Sequence, residues 1–143
     1  MNKLFRYLFF VLLVITMGIF MISCSKSETS HDVWDNALYT EDTTLGSGSK
    51  VLEVEVKADD KSVVFTVRTD KNTVGEALSE FNLISGEDGA YGMYVKKVNG
   101  IIADYEENKC YWSFCKNGEY MQTGIDKTEF SDGDRFELVY TRG

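Results

Sequence analysis

The 143-residue chain contains no proline and a single histidine, and its 15 basic residues are outnumbered by 23 acidic ones. Each shortage excludes something. Without proline, tight turns must rest on glycine, asparagine and aspartate, the other residues suited to turn geometry. The one histidine, His31, sits in a polar stretch, so neither a histidine-based triad nor a buried histidine metal site has a residue to build it. The net charge of −8 argues against nucleic acid and against an anionic membrane surface, which both need Lys/Arg patches. No glycine-rich phosphate loop occurs. The acid pairs Asp59-Asp60, Glu87-Asp88 and Glu106-Glu107 are adjacent in sequence, whereas calcium-loop ligands alternate. Asp132 and Asp134 flank Gly133 as turn formers. No catalytic residue, metal ligand or cofactor motif is found, and the chain reads as a non-enzyme.

What is present begins with a compartment signal. Lys3 and Arg6 precede an apolar run from Tyr7 to Ile22, interrupted only by Thr16 and Gly18, and Ser23-Cys24 then opens the polar stretch "SKSETSHD". Basic start, apolar run and small residue form the layout of a secretory signal peptide. The junction resembles the lipobox of bacterial lipoproteins, with Met21 where that family usually has leucine. The resemblance implies a signal peptide over residues 1–23, a Cys24 diacylated on sulfur with fatty acyl chains such as palmitate, and attachment to the membrane on its extracytoplasmic side. Loss of Lys3 and Arg6 takes 15 basic residues to 13 against 23 acidic ones, a net charge of −10. Residues 24–32 read as a polar tether, and residues 33–143 have the length of one domain.

With Cys24 lipidated, Cys110 and Cys115 remain, and two cysteines outside the cell invite a disulfide. Five residues along a strand span about 16 Å at 3.3 Å each, whereas a bridge needs Cα atoms within roughly 7 Å. An odd separation also places the thiols on opposite faces. Both are expected to be free and packed as small apolar groups.

Periodicity supplies the elements. Val33 to Leu45 is too apolar for a free linker and is expected to lie on the domain as an irregular edge or short strand. "GSGS" (residues 46–49) then hinges into the body. Leu52, Val54 and Val56 alternate with polar residues, as do Val63, Phe65 and Val67, so residues 50–69 read as a β-hairpin. Val74, Ala77, Leu78 and Phe81 fall at helical spacing. Thr73 with Glu76 forms a capping box, which predicts a helix over 73–82. Strands follow near 91–98, 109–116 and 119–123, the last two joined by the type I′ turn signal Asn117-Gly118. Phe136, Leu138 and Tyr140 alternate in a final strand. The ββαβββ order predicts an α+β fold, a mixed sheet with one helix packed on one face, β-grasp-like in arrangement.

The densest stretch is "CYWSFCKNGEY", residues 110–120. Alternation puts Cys110, Trp112 and Phe114 on one face, read as core under the helix, and Tyr111, Ser113 and Cys115 on the other. Tyr111, with Tyr91, Tyr94, Tyr105 and Tyr120 in nearby strands and loops, forms a candidate binding platform, and Trp112 lies in the same strand. Tyrosine offers a flat apolar body with a polar tip, as ligand sites and interfaces favour.

In order and spacing, "TVGEAL" (73–78), "YGMYVKKVNGI" (91–101), "YWSFCKNGEY" (111–120), "TGID" (123–126) and "DGDRFELVYT" (132–141) resemble a bacterial lipoprotein family. It is the family that carries a transcobalamin-like C-terminal domain, catalogued as a domain of unknown function. "WDNALYTEDTTLG" (34–46) belongs to the same resemblance. It implies a β-grasp-like domain and hints at corrinoid binding, because vitamin B12 carriers cover one face of their ligand with such a domain. Two functions stay open. One is a tethered module for a small flat or extended ligand, a corrinoid or a glycan, serving uptake beside a transporter. The other is a protein–protein module that docks on an envelope protein through a sheet edge or the tyrosine face.

Mass spectrometry of the mature N-terminus tests the compartment reading. The expected species begins at a diacylated Cys24. A chain that keeps Met1, or an unmodified Cys24, would contradict it.

Overall fold

The computed structural model describes residues 31–143. The expected leader, Cys24 and most of the tether lie outside the described residues. From His31 onward the chain forms one unit, mostly strand with a little helix. A 3₁₀ turn at Val33–Asn36 leads into β1 (Thr43–Gly46), β2 (Lys50–Ala58), β3 (Lys61–Thr69) and helix α1 (Val74–Ser79). Then come β4 (Ile84–Gly89), β5 (Gly92–Val98), β6 (Ile101–Ile102), a one-turn helix α2 (Tyr105–Asn108), β7 (Cys110–Lys116), β8 (Glu119–Tyr120) and β9 (Asp134–Arg142).

The strands form two sheets. The larger runs β1-β3-β2-β9-β7-β8, and the smaller runs β4-β5-β6. In the larger sheet β1 lies parallel to β3 and β9 parallel to β2, while the other pairs are antiparallel. Register stacks apolar residues on one face. Val54 stands opposite both Phe65 and Phe136, and Val56 opposite Val63 and Leu138. All six are buried, because the period of two that separates Val54 and Val56 from Glu53, Glu55 and Lys57 matches the pleat. The opposite face is polar. There Arg135 reaches Glu55 at 2.9 Å and Lys57 reaches Glu137 at 3.2 Å.

Helix α1 covers the apolar face with Val74, Ala77 and Leu78, all buried. Its start is the expected capping box: Thr73 Oγ1 accepts the Glu76 N–H at 3.2 Å, and Glu76 Oε2 accepts the Thr73 N–H at 3.3 Å. It ends three residues before the expected boundary. Asn82 adopts a left-handed φ of 55°, and the Leu83 N–H returns to the Leu78 carbonyl at 3.0 Å. That six-to-one closure stops a helix and turns the chain away.

The N-terminal segment does lie on the domain, as its composition suggests. Trp34 is buried and donates its indole N–H to the Ala58 carbonyl at 2.9 Å. The fully buried Asn99 holds the backbone of Tyr39 with both ends of its amide, at 2.9 and 2.8 Å. β1 is the short edge strand. Turns rest on the residues expected in a proline-free chain: Asp59, Asn82, Asn99 and Asn117 take positive φ, as does Lys109. Asn117 and Gly118, at φ 54° and 77°, close the β7–β8 hairpin, as the sequence signal requires.

The single mixed sheet of a ββαβββ order is not what forms. Residues 84–89 make a strand that pairs with β5 rather than joining the large sheet, and α2 adds a second short helix. Register shifts between Ser85 and Gly86. At Gly86 a Cβ would collide with the Tyr94 backbone, so glycine admits an irregularity that bends the ladder. The expected strand at 119–123 shortens to Glu119–Tyr120.

Within β7, Cys110 and Trp112 are buried as expected, whereas Phe114 is only half-buried, stacked on Phe136 with centroids 5.4 Å apart. Ser113 and Cys115, assigned to the open face, are buried. Ser113 Oγ lies 2.7 Å from Thr141 Oγ1, and Cys115 sits opposite Glu137 in the ladder. Both Cys110 and Cys115 are free thiols.

Replacing Trp112 by alanine should lower stability by about 3–5 kcal/mol, a large share of the roughly 5–15 kcal/mol of a typical domain. Tyr111→Ala, at a half-exposed position, should cost far less. Denaturant midpoints measure both, and equal losses would mean that the faces of β7 are wrongly assigned.

Candidate functional site

Where the small sheet meets the edge of the large one, a cleft of about 700 Å³ opens. One wall is the β4–β5 hairpin from Gly89 to Val95, the other is β7 from Tyr111 to Phe114, and residues 120–125 form the floor. The hairpin exists because Gly89 and Gly92 close a two-residue turn. Gly92 sits at φ +115°, a conformation that side chains with a Cβ rarely adopt. The floor follows β8, and the Met121 N–H ties it to the Phe114 carbonyl at 2.9 Å.

Five of the six residues expected to form a platform border this cleft: Tyr91, Tyr94, Tyr111, Trp112 and Tyr120. Tyr91 is 87% exposed and Tyr120 63%, which makes them rim residues. Tyr94 is partly exposed on the hairpin wall. Trp112 is 7% exposed and pinned, its indole N–H directed to the Ile101 carbonyl at 3.3 Å and its ring edge-on to Tyr140 at 5.4 Å. Tyr111 borders the cleft from the far side of β7, and its ring packs on Tyr105 at 6.5 Å. Tyr105 itself lies outside the cleft, under the Lys109 ammonium.

Sequence reasoning missed Met93, Phe114 and Met121 as lining residues. Methionine's flexible thioether suits a surface that adapts to a ligand. Their only signal was position, since Met93 and Met121 adjoin Tyr94 and Tyr120, and Phe114 lies two residues from Trp112 in the same strand.

None of the 17 lining residues is charged, although charged residues make up 27% of the chain. The cleft therefore offers apolar contact and neutral hydrogen-bonding groups, with no counter-ion for a phosphate or carboxylate. Its backbone supplies part of that polarity. Phe114 and Lys116 direct their backbone groups toward β8, so alternation turns Trp112 the same way, beyond the end of β8. No described strand pairs with β7 on that side at Trp112.

The titrating groups around the cleft show no poised nucleophile. Burial, with the nearby Glu137 carboxylate second, pushes the Cys115 thiol up, the direction that suppresses reactivity. Burial also raises the Tyr140 phenol to about 12, with Cys110 contributing. Asp126, just beyond the floor, is held below the ordinary carboxylate range, chiefly by the Met93 N–H. No three His, Cys, Asp or Glu side chains converge as metal ligands among the described residues.

A protein-family model described as "Domain of unknown function (DUF4430)" matches residues 71–142. The chain belongs to that family. Among solved structures, a protein from Ruminococcus gnavus ATCC 29149 proposed to bind metal is 38% identical, with a TM-score of 0.62. The match covers 66% of this chain and 99% of that one. Haptocorrin in complex with Cbi superposes with a TM-score of 0.54 at 16% identity, over 68% of this chain and 26% of its own. At that identity the likeness is one of fold, and this DUF4430 chain corresponds to about a quarter of haptocorrin. The expected transcobalamin-like fold is met at that level. No curated protein matches the chain. The metal binding proposed for the Ruminococcus gnavus protein finds no donor cluster among the described residues of this DUF4430 chain.

Proposed function

We propose that this protein is a lipid-anchored, extracytoplasmic binding module, not an enzyme, that holds a neutral small ligand in the cleft between its two sheets. The observation that carries this reading is an uncharged, aromatic-edged cleft of about 700 Å³ in a chain with a strong excess of acid. A volume of roughly 300–1,000 Å³ with apolar walls and a few polar groups is the usual form of a small-molecule site. A corrinoid is the first candidate, supported by the haptocorrin fold likeness and by the Cbi that haptocorrin holds. A glycan is the second candidate, since tyrosine rims also suit sugar rings. The likeness supports a β-grasp-like description of the fold. Delivery of the ligand to a neighbouring transporter would give the lipid anchor at Cys24 its purpose.

One observation favours a second reading. The edge of β7 from Trp112 back, which β8 and Met121 leave uncovered, would accept an extended segment of another envelope protein, since strand addition uses such an edge.

An open cleft encloses only part of a large ligand, and drug-sized ligands gain about 0.3 kcal/mol per heavy atom. Affinity should therefore reach the micromolar range at best, near −8 kcal/mol. Equilibrium dialysis with a vitamin B12 corrinoid tests this. The expected result is saturable binding that Tyr94→Ala combined with Tyr120→Ala abolishes while the denaturant midpoint holds. No saturable uptake of corrinoids or glycans, together with capture of a specific envelope protein that Phe114→Pro prevents, would move the case to the second reading.

A further inference from the structure

We propose that Asp126 is the positioning residue of the cleft, a side chain whose carboxylate latches the tyrosine-bearing hairpin to the floor and so sets the width of the proposed ligand site. This rests on the cleft being the ligand site, but the latch can be measured without any ligand.

Three segments distant in sequence meet at this residue. Asp126 Oδ1 accepts the Met93 N–H at 2.6 Å, on the edge of β5 that faces the cleft rather than β4. Beside it, a Cβ on Gly92 would stand 2.5 Å from the same oxygen, and one on Gly124 would stand 2.9 Å from it. The Gly124 N–H donates to the Tyr91 carbonyl at 3.1 Å. Hairpin and floor therefore approach backbone to backbone, glycine against glycine, around one carboxylate oxygen. Behind the floor, the Gly75 N–H of α1 donates to the Ile125 carbonyl at 2.9 Å, and a Cβ on Gly75 would lie 2.7 Å from Asp126 Cα. The helix thus backs the latch, and the latch fixes the hairpin that carries Tyr91 and Tyr94.

The carboxylate has few competing partners. Lys127 Nζ lies 3.5 Å from Oδ2. On the elements packed against it, α1 presents Glu76, already bound to the N–H groups of Asn72 and Thr73. The hairpin presents Asp88, across the ladder from Met93, and Tyr91. A backbone N–H aimed at an ionised carboxylate is a stronger bond than a neutral pair makes, and it favours the ionised form. The folded-state value is depressed. The latch is therefore strongest above the ordinary carboxylate range and weakens as pH falls through the lowered folded value, where a neutral carbonyl replaces the carboxylate as acceptor. It stays closed at neutral and mildly acidic pH.

Glycine at 92 and 124 follows from the same constraint. Either Cβ would push the hairpin off the floor at the point where the carboxylate ties them.

Hydrogen exchange on the mature chain, followed residue by residue, tests the latch with no ligand present. In Asp126→Ala the protection factors of the Met93 and Gly124 amides should fall about tenfold or more, while those of Val54 and Phe136 in the core stay unchanged. Asp126→Asn keeps a carbonyl acceptor and should restore most of the protection. It should also remove the acid weakening of Met93 protection expected of the native chain. Unchanged protection at Met93 in Asp126→Ala would overturn the proposal. If that variant unfolds, the native chain and Asp126→Asn decide it: identical pH profiles of Met93 protection would overturn the latch. Equilibrium dialysis with a vitamin B12 corrinoid then separates the two claims. Loss of Met93 protection in a protein whose native form binds no corrinoid leaves the latch standing and removes the corrinoid reading. Native corrinoid binding that Asp126→Ala weakens about tenfold and Asp126→Asn restores supports both.

Discussion

Trp112 is where the two sheets are joined. No strand ladder links the β4-β5-β6 sheet to the larger one, so their relation depends on side chains, and the indole of Trp112 is the largest at the seam. It is buried, donates to the Ile101 carbonyl of the small sheet and stands edge-on to Tyr140 of the large one. Val95, Val98 and Ile101 bury against the same core. A ladder would have closed the space between β5 and β7. A seam held by side-chain packing around Trp112, rather than by a ladder, leaves the rest of that space open, and this opening is the cleft.

The cleft's character follows from what each wall can supply. β7 has one edge committed to β9 and the other covered only as far as Phe114, where β8 ends and Met121 takes over. The hairpin wall is built from glycines and aromatics, and the floor is neutral. Acidic side chains concentrate elsewhere, on the polar face of the large sheet and in turns, where Arg135, Lys57 and Lys116 pair with several of them. Such exposed pairs contribute little to stability, but they keep charge away from the cleft. A site without counter-ions discriminates by shape and by neutral hydrogen bonds, which fits a bulky ligand presenting apolar faces and amide or hydroxyl groups.

Much of the fold was legible because local chemistry and global packing agree. Alternation in β2, β3 and β9 matches their buried faces, Thr73 and Glu76 form the box their spacing announces, and Asn117-Gly118 turns as the pair prefers. β4 was illegible because "ISGEDG" holds one apolar residue and two glycines, and only pairing with β5 makes it a strand. That one omission hid the second sheet, and with it the reason Phe114 is half-buried rather than core. The burial of Cys115 was missed for a related reason, since a face that is polar on average can still shelter a small thiol beside Glu137. Tyrosines 91, 94, 111 and 120, singled out by residue type, border the cleft, whereas Tyr105 shares the type but lies outside it. Asp126 was visible only as part of "TGID". Its role needs the approach of Gly92 and Gly124, which no spacing along the chain announces.

The proposed ligand site is the gap between β5 and β7. Chemical-shift mapping on ¹⁵N-labelled protein during titration with a vitamin B12 corrinoid tests it most directly. Saturating shifts confined to residues 89–95, 111–114 and 120–125 are expected, with the amides around Trp34 and along β1 unmoved. Saturating shifts centred on Trp34 or the β1 edge, with the cleft silent, would contradict it.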